Sequence, residues 1–204
     1  LQTIKELKKR QAKVVVISHQ GRPKEIDFLS LKQHAQYLNK KEKITFVNDI
    51  IGKKAIDSIK NLKRGDAILL ENVREEPDEF KPEKGENNRL IKNIAPLIDL
   101  YVNDAFSVCH RNQTSIVLFQ KYLPSCAGPL LVEELSHLKK IQFKDSLFIL
   151  GGAKPEDNVK LLKGKKILSC GYFCHLALIA KGYRLGAQEK FLHEIIPQCN
   201  TIIN

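Results

Sequence analysis

The sequence predicts an α/β protein: a parallel, Rossmann-like sheet with helices on both faces, then an interdomain helix, then the start of a second α/β lobe. Three observations predict it. Helical and strand-like patterns alternate along the chain, the signature of strands joined by crossover helices. The strands read as short unbroken apolar runs such as Val14-Val15-Val16-Ile17, as parallel strands buried on both faces do. The alternation breaks once, at an amphipathic helix near residue 130, and then restarts.

The elements follow in order. A helix over residues 3–10 leads into the strand AKVVVIS. A helix opening at Ser30, read as its N-cap, precedes the strand KITFVN. Gly52 to Leu62 forms a helix closed by the turn KRGD, and the strand AILLEN follows. EEPDEFKPEKGENN is the longest polar segment and reads as an exposed loop. Residues 87–95 are helical and lead into LIDLYVNDAF. One parallel sheet is expected over residues 13 to about 125. In LLVEELSHLKKI, Leu131, Leu135 and Leu138 recur at helical spacing with charges opposite, after a sharp start at Gly128-Pro129. Then come a strand SLFILGG, a helix, KILSCG and HLALIAKGYRLG. The expected division is an N-terminal lobe over 1–128, the interdomain helix over 129–142 and a second lobe from 143 to 204, with the boundary on the helix near Val132 to Phe143.

Composition narrows the function. The 204 residues are 43% hydrophobic, ample for a core, and carry 34 Lys+Arg against 23 Asp+Glu, a net charge of +11. Such a balance suits nucleic acid, an anionic membrane or a phosphorylated metabolite. No long Lys/Arg tract appears and basic residues are not interleaved with aromatics, which argues against nucleic acid. No apolar run approaches the ~20 residues of a membrane span, and no signal peptide is visible. The five cysteines are odd in number and irregular in spacing; they read as small buried residues of a reducing compartment, so a cytoplasmic protein is expected, and separately a monomer. The chain opens on LQTIKELKKR without a Met and stops at NTIIN, which resembles the beginning of a strand, so both ends read as cut.

Four strand ends carry polar residues. They are SHQGRP with His19 and Arg22, LLENVREEP with Asn72 and Arg74, YVNDAFSVCHRNQTS with Asn103, Asp104, His110 and Arg111, and ILGGAKPEDN with Gly151, Gly152 and Lys154. Ligands of open α/β sheets bind outside the carboxyl ends of the strands, which share one edge when the sheet is parallel. Three arginines and two histidines converging there would form a pocket for a small, multiply charged anion, because guanidinium groups grip phosphate or carboxylate oxygens in pairs. Each motif has a plainer reading. A single arginine here is a surface residue in an ion pair, a single histidine a satisfied structural one, Asp104 a turn cap, and SHQGRP a polar loop turned at Gly21 and Pro23. GGAK is not a Walker loop. The case rests on joint placement after successive strands.

Together, VVVISHQGRPK, GDAILLENVR, YVNDAF with HR, LPSCAGPLLVEEL and LGGAKPEDN resemble phosphoglycerate kinase, in the same order along the chain and over essentially all 204 residues. GGAKPEDN followed by LSCGYF looks most like the archaeal branch. The resemblance implies a two-lobed, hinged kinase that moves a phosphoryl group between ATP and 3-phosphoglycerate, giving 1,3-bisphosphoglycerate and ADP, with Mg2+ accompanying the nucleotide. It implies that His19, Arg22, Arg74 and Arg111 bind the phosphoglycerate, that Lys154 and Arg22 are catalytic, and that Gly152, Lys154 and Gly171 meet the nucleotide. The departures are specific. The family's opening strand with RVDFN has no counterpart, nor has the arginine soon after it; a second lysine that often follows GGAK is Asn158 here, and a common GGG is Ser169-Cys170-Gly171. The family's second lobe also continues for about as long again. The 204 residues alone are therefore expected to lack turnover, and a non-catalytic half-module that binds anions is the alternative.

Overall fold

The computed structural model describes residues 1–152 and 166–191. The chain divides into two compact units, Leu1–Leu138 and Lys139–Asn204.

In the first unit, α1 (Gln2–Lys9), β1 (Val14–Val16), α2 (Lys32–Asn39), β2 (Thr45–Val47), α3 (Lys53–Lys60) and β3 (Ala67–Leu70) alternate. The strands pair in the order β1-β3-β2, all parallel, with Val14 opposite Ala67 and Val47 opposite Leu70. All four residues of the central strand β3 are buried, which is why AILL reads as one apolar run. Successive side chains of a strand point to opposite faces. Ile68 and Leu70 accordingly join a core with Val47, Ala55, Ile59, Leu90 and Phe119. Ala67 and Leu69 join a second core with Val14, Leu31, Ala35 and Ile44.

Beyond β3 lie three 3-10 turns (Val73–Glu75, Pro77–Phe80, Pro82–Asn87), then α4 (Arg89–Ile94), β4 (Tyr101–Asn103), α5 (Thr114–Val117), β5 (Ser125–Ala127) and α6 (Pro129–Leu138). The single sheet expected over residues 13–125 divides into a three-stranded and a two-stranded sheet. β4 pairs in parallel with β5, and among the described residues no ladder joins this pair to β1-β3-β2. The apolar pattern identifies a strand but not its neighbour; here Tyr101 N–H donates to Pro124 C=O at 2.9 Å and Gly128 N–H to Asn103 C=O at 2.7 Å, extending the β4–β5 pairing at both ends.

Three further expectations need correction. EEPDEFKPEKGENN is not an exposed loop: Glu76, Asp78, Glu79 and Asn88 are buried. Short 3-10 turns leave backbone groups unpaired inside the fold, and these polar side chains satisfy them. Asn88 Nδ2 donates to Asp78 C=O at 2.8 Å and to Thr114 Oγ1 at 2.8 Å, and its Oδ1 accepts from Leu90 N–H at 3.0 Å. The described cysteines are not buried either; Cys109, Cys126 and Cys170 are exposed free thiols and Cys174 is half-buried, while Cys199 lies outside the described residues. The N-cap position of α2 is Leu31, one residue after Ser30, whose Oγ accepts from Lys32 N–H and donates to Glu71 Oε2 at 2.6 Å.

In the second unit, β6 (Leu147–Leu150) pairs in parallel with β7 (Lys166–Ser169), and α7 (Gly171–Ala180) follows directly. Leu150, Phe173 and Leu176 are its buried apolar residues among those described. The helix expected between the two strands lies outside the described residues.

Candidate anion site at the strand ends

The segment after β1 is held by the segment after β3. Glu71 is 3% exposed, and its carboxylate accepts from Leu31 N–H at 2.8 Å, Asn72 N–H at 2.7 Å and Ser30 Oγ at 2.6 Å. The buried Asn72 amide donates to Gln20 C=O at 2.8 Å and Leu29 C=O at 3.0 Å, gripping both ends of the loop that contains SHQGRP. Val73 N–H donates to Ser18 C=O at 3.1 Å, and Arg74 Nη1 donates to Gly21 C=O. Gly21 has φ +67°, and a Cβ there would lie 2.3 Å from the Asp27 carbonyl oxygen, so only glycine fits this turn. LLENVR is thus a scaffold for SHQGRP, a role its sequence did not signal.

Arg74 is only 6% exposed, and among the described residues its Nε and Nη2 have no partner; Arg111 Nε is likewise buried and unpartnered there. Burial lowers the proton affinity of the Arg74 guanidinium, the Arg111 charge lowers it further and Arg22 adds to this, while Glu79 and Asp27 act in the opposite sense. His19, half-buried, is pushed down to about 4 by burial first, then by the charges of Arg74 and Arg111. His19, Arg22, Arg74 and Arg111 therefore lie within electrostatic reach of one another, through Arg74. Three cations and a neutral imidazole are thus electrostatically close, on the segments that follow β1, β3 and β4, with donors left over. A buried donor without an acceptor costs roughly 1–3 kcal/mol, so stability alone does not favour this arrangement.

The other strand-end residues differ in placement. His110 is exposed. Asn103 Oδ1 accepts from Ala105 N–H at 3.1 Å. Asp104 accepts from Leu131 N–H at 3.1 Å and from Thr3 Oγ1, and so anchors the start of α6 to α1. A cavity of about 700 Å³ beyond β2 and β3 is lined by Asp49, Glu71, Glu75 and Glu76, with Arg89 at its side. Its carboxylates repel an anion, and it is distinct from the basic cluster.

In the second unit, Gly152 (φ +101°) lies two residues after β6 and Gly171 (φ +54°) opens α7; a Cβ on Gly171 would lie 3.7 Å from Gly152 N. Close backbone approach at a helix start suits phosphate oxygens. Lys154 and Asn158 lie outside the described residues. Among the described residues no three His, Cys, Asp or Glu side chains are grouped to hold a metal ion.

A test of the cluster's electrostatics follows from His19. Its ring signals should titrate near pH 4 in the free protein, and move toward the ordinary 6.5 when sulfate is added, because the dianion offsets Arg74 and Arg111. Titration near 6.5 without any anion would show that the arginines do not surround the ring.

The family model for phosphoglycerate kinase matches residues 1–204. The chain is 40% identical to a phosphoglycerate kinase of Sulfurisphaera tokodaii over 223 residues, covering 99% of this chain and 54% of that protein. It is 38% identical to one of Methanopyrus kandleri, covering 94% of this chain and 51% of that protein. The crystal structure of phosphoglycerate kinase from Pyrococcus horikoshii superposes with a TM-score of 0.86 at 32% identity, covering 100% of this chain and 55% of that one. The chain thus spans about half the length of the relatives it matches.

Proposed function

This chain belongs to the phosphoglycerate kinase family, and we propose that it takes part in reversible phosphoryl transfer between ATP and the carboxylate of 3-phosphoglycerate, in the cytoplasm and as a monomer. His19, Arg22, Arg74 and Arg111 hold the phosphoglycerate, and Arg22 and Lys154 serve the transfer. Gly152, Lys154 and Gly171 meet the nucleotide. Exposed free thiols support a reducing compartment, and among the described residues no helix is long and apolar enough to cross a membrane.

The observation that carries the reading is the set of buried, unpartnered guanidinium donors, Arg74 Nε, Arg74 Nη2 and Arg111 Nε. A phosphate or carboxylate supplies the acceptors they lack, in the paired geometry a guanidinium fork demands. Phosphoryl transfer asks mainly for positioning and charge stabilisation of the protein. The arginines hold the acceptor, and neutral His19 adds a hydrogen bond without adding charge repulsion. Mg2+ bound with the nucleotide supplies charge neutralisation on its phosphates.

Titration of the 204-residue chain with 3-phosphoglycerate tests this. The NMR signals of His19, Arg22, Arg74 and Arg111 should move together with a Kd near ~1 mM, or about −4 kcal/mol. Affinity should fall with salt, as partly exposed charges are screened over about 10 Å at 0.1 M. Shifts scattered over the lysine-rich helices instead would mean nonspecific attraction of anions.

A further inference from the structure

The least expected group near the basic cluster is a carboxyl buried beneath it. Glu79 is 0% exposed. It lies on the 3-10 turn Pro77–Phe80, which follows the turn carrying Arg74. Its two oxygens accept from one residue, Ser115, through N–H at 2.9 Å and Oγ at 2.6 Å. Ser115 belongs to α5, which starts three residues after Arg111. Beside this contact, Thr114 Oγ1 donates to Asp78 C=O at 2.7 Å, so the same turn holds α5 at two adjacent residues.

Two elements that deliver the site's arginines are thus joined through one side chain. The charge of that side chain also reaches the site: Glu79 raises the proton affinity of Arg74, opposing burial and Arg111. A carboxylate buried without an ion pair is costly, and among the described residues Glu79 has none. A glutamine would satisfy Ser115 equally well, its carbonyl accepting the N–H and its amide donating to the hydroxyl. The acid therefore needs a reason beyond hydrogen bonding.

We propose that Glu79 is a positioning residue of the anion site: its carboxyl fixes the helix after Arg111 against the turn after Arg74 and sets the net charge that Arg74 presents to an incoming anion. This rests on the reading of His19, Arg22, Arg74 and Arg111 as an anion site. With the site empty, an ionised Glu79 partly balances Arg74. An arriving dianion takes over that balance, and Glu79 then takes up a proton from solvent. Burial pushes the Glu79 carboxyl up to about 7, against the pull of the Ser115 bonds and the Arg74 charge, so this exchange falls in the neutral range. The groups facing Glu79 are Arg74 from the preceding turn, Ser115 from α5 and Tyr101 from β4, whose hydroxyl is pushed up to about 12 by burial and the Glu79 charge. From α4 and the neighbouring turn, Arg89 and Lys84 pair instead with Glu76 and Asp78.

Sulfate is the probe, because it stays a dianion from pH 6 to pH 8. His19, near 4 in the free protein, moves toward 6.5 as sulfate binds and adds a pH dependence of its own, so the comparison is with Glu79→Gln. The 204-residue chain should bind sulfate about fivefold more tightly at pH 6 than at pH 8, the low end of coupling between two interacting sites. In Glu79→Gln the pH dependence over this range should shrink to the part that His19 contributes, which is confined to its acid end. In the unmutated chain, the carboxyl carbon signal of Glu79 should titrate at higher pH with sulfate than without, a readout that serves if the variant does not fold. Saturable sulfate binding with the same pH slope in both proteins, or a Glu79 titration indifferent to sulfate, overturns the proposal and leaves the anion site standing. No saturable binding at His19, Arg22, Arg74 and Arg111 in the unmutated chain overturns the site itself, and the proposal with it.

Discussion

Arg74→Ala should abolish measurable binding of 3-phosphoglycerate, the larger of the two effects expected from single substitutions in this chain. Arg74 offers two unpartnered, buried donors, and each charge-assisted bond contributes roughly 1.5–3 kcal/mol. Losing two removes about 3–6 kcal/mol, from a binding free energy of only about −4 kcal/mol. Stability should change less. The Gly21 carbonyl loses its donor and a buried side chain is truncated, but repulsion from Arg111 and Arg22 is relieved. A net loss of about 1–3 kcal/mol is expected. Arg74→Lys separates charge from geometry. It keeps a cation but not the planar fork, so it cannot serve Gly21 and the anion in the same way, and affinity should still fall at least tenfold. The measurements are NMR titration with 3-phosphoglycerate and urea unfolding of each variant. Binding by Arg74→Ala within twofold of the unmutated chain would show that the free donors face no ligand.

The second large effect is on folding. Asn88→Ala should destabilise the first unit by about 2–4 kcal/mol, although the residue lies in a segment as polar as any loop. Asn88 is 0% exposed. It caps the start of α4 through Leu90 N–H at 3.0 Å, and its amide donates to Asp78 C=O at 2.8 Å, Lys81 C=O at 3.1 Å and Thr114 Oγ1 at 2.8 Å. Alanine leaves the α4 donor Leu90 N–H without its partner and takes one donor each from the Asp78 and Lys81 carbonyls, inside the fold and away from water. Asn88→Asp is the sharper comparison. It is nearly isosteric and keeps the cap, yet sets an acceptor-only carboxylate against two carbonyl oxygens. It should be at least as damaging as alanine. Urea midpoints at constant m-value decide the matter. A loss within about 0.5 kcal/mol, the usual range for surface positions, would mean that the segment behaves as the exposed loop its composition suggests.

The family likeness and the alternation of elements were legible in the sequence, and for one physical reason. An apolar run such as Ala67-Ile68-Leu69-Leu70 reports the burial of its own side chains, which is a local property. His19, Arg22 and Arg74 follow β1 and β3, which do pair in parallel, so their common end was legible; Arg111 follows β4, in a separate pair, and its approach to Arg74 was not. What tertiary structure decided were the pairings that reach across the chain. Nothing in LIDLYVN says that β4 takes β5 rather than β1 as its neighbour, since strand partners are chosen by packing around both. Nothing in EEPDEF marks Asp78 and Glu79 as buried, because their partners, Asn88, Thr114 and Ser115, lie 10 to 36 residues further on. Arg74 taken singly reads as a surface residue in an ion pair; that it is buried and holds the Gly21 carbonyl, 53 residues back, appears only when β1 and β3 lie side by side. Hydrophobicity is written residue by residue, whereas the satisfaction of a buried polar group belongs to a pair, and a pair exists only once the chain has folded.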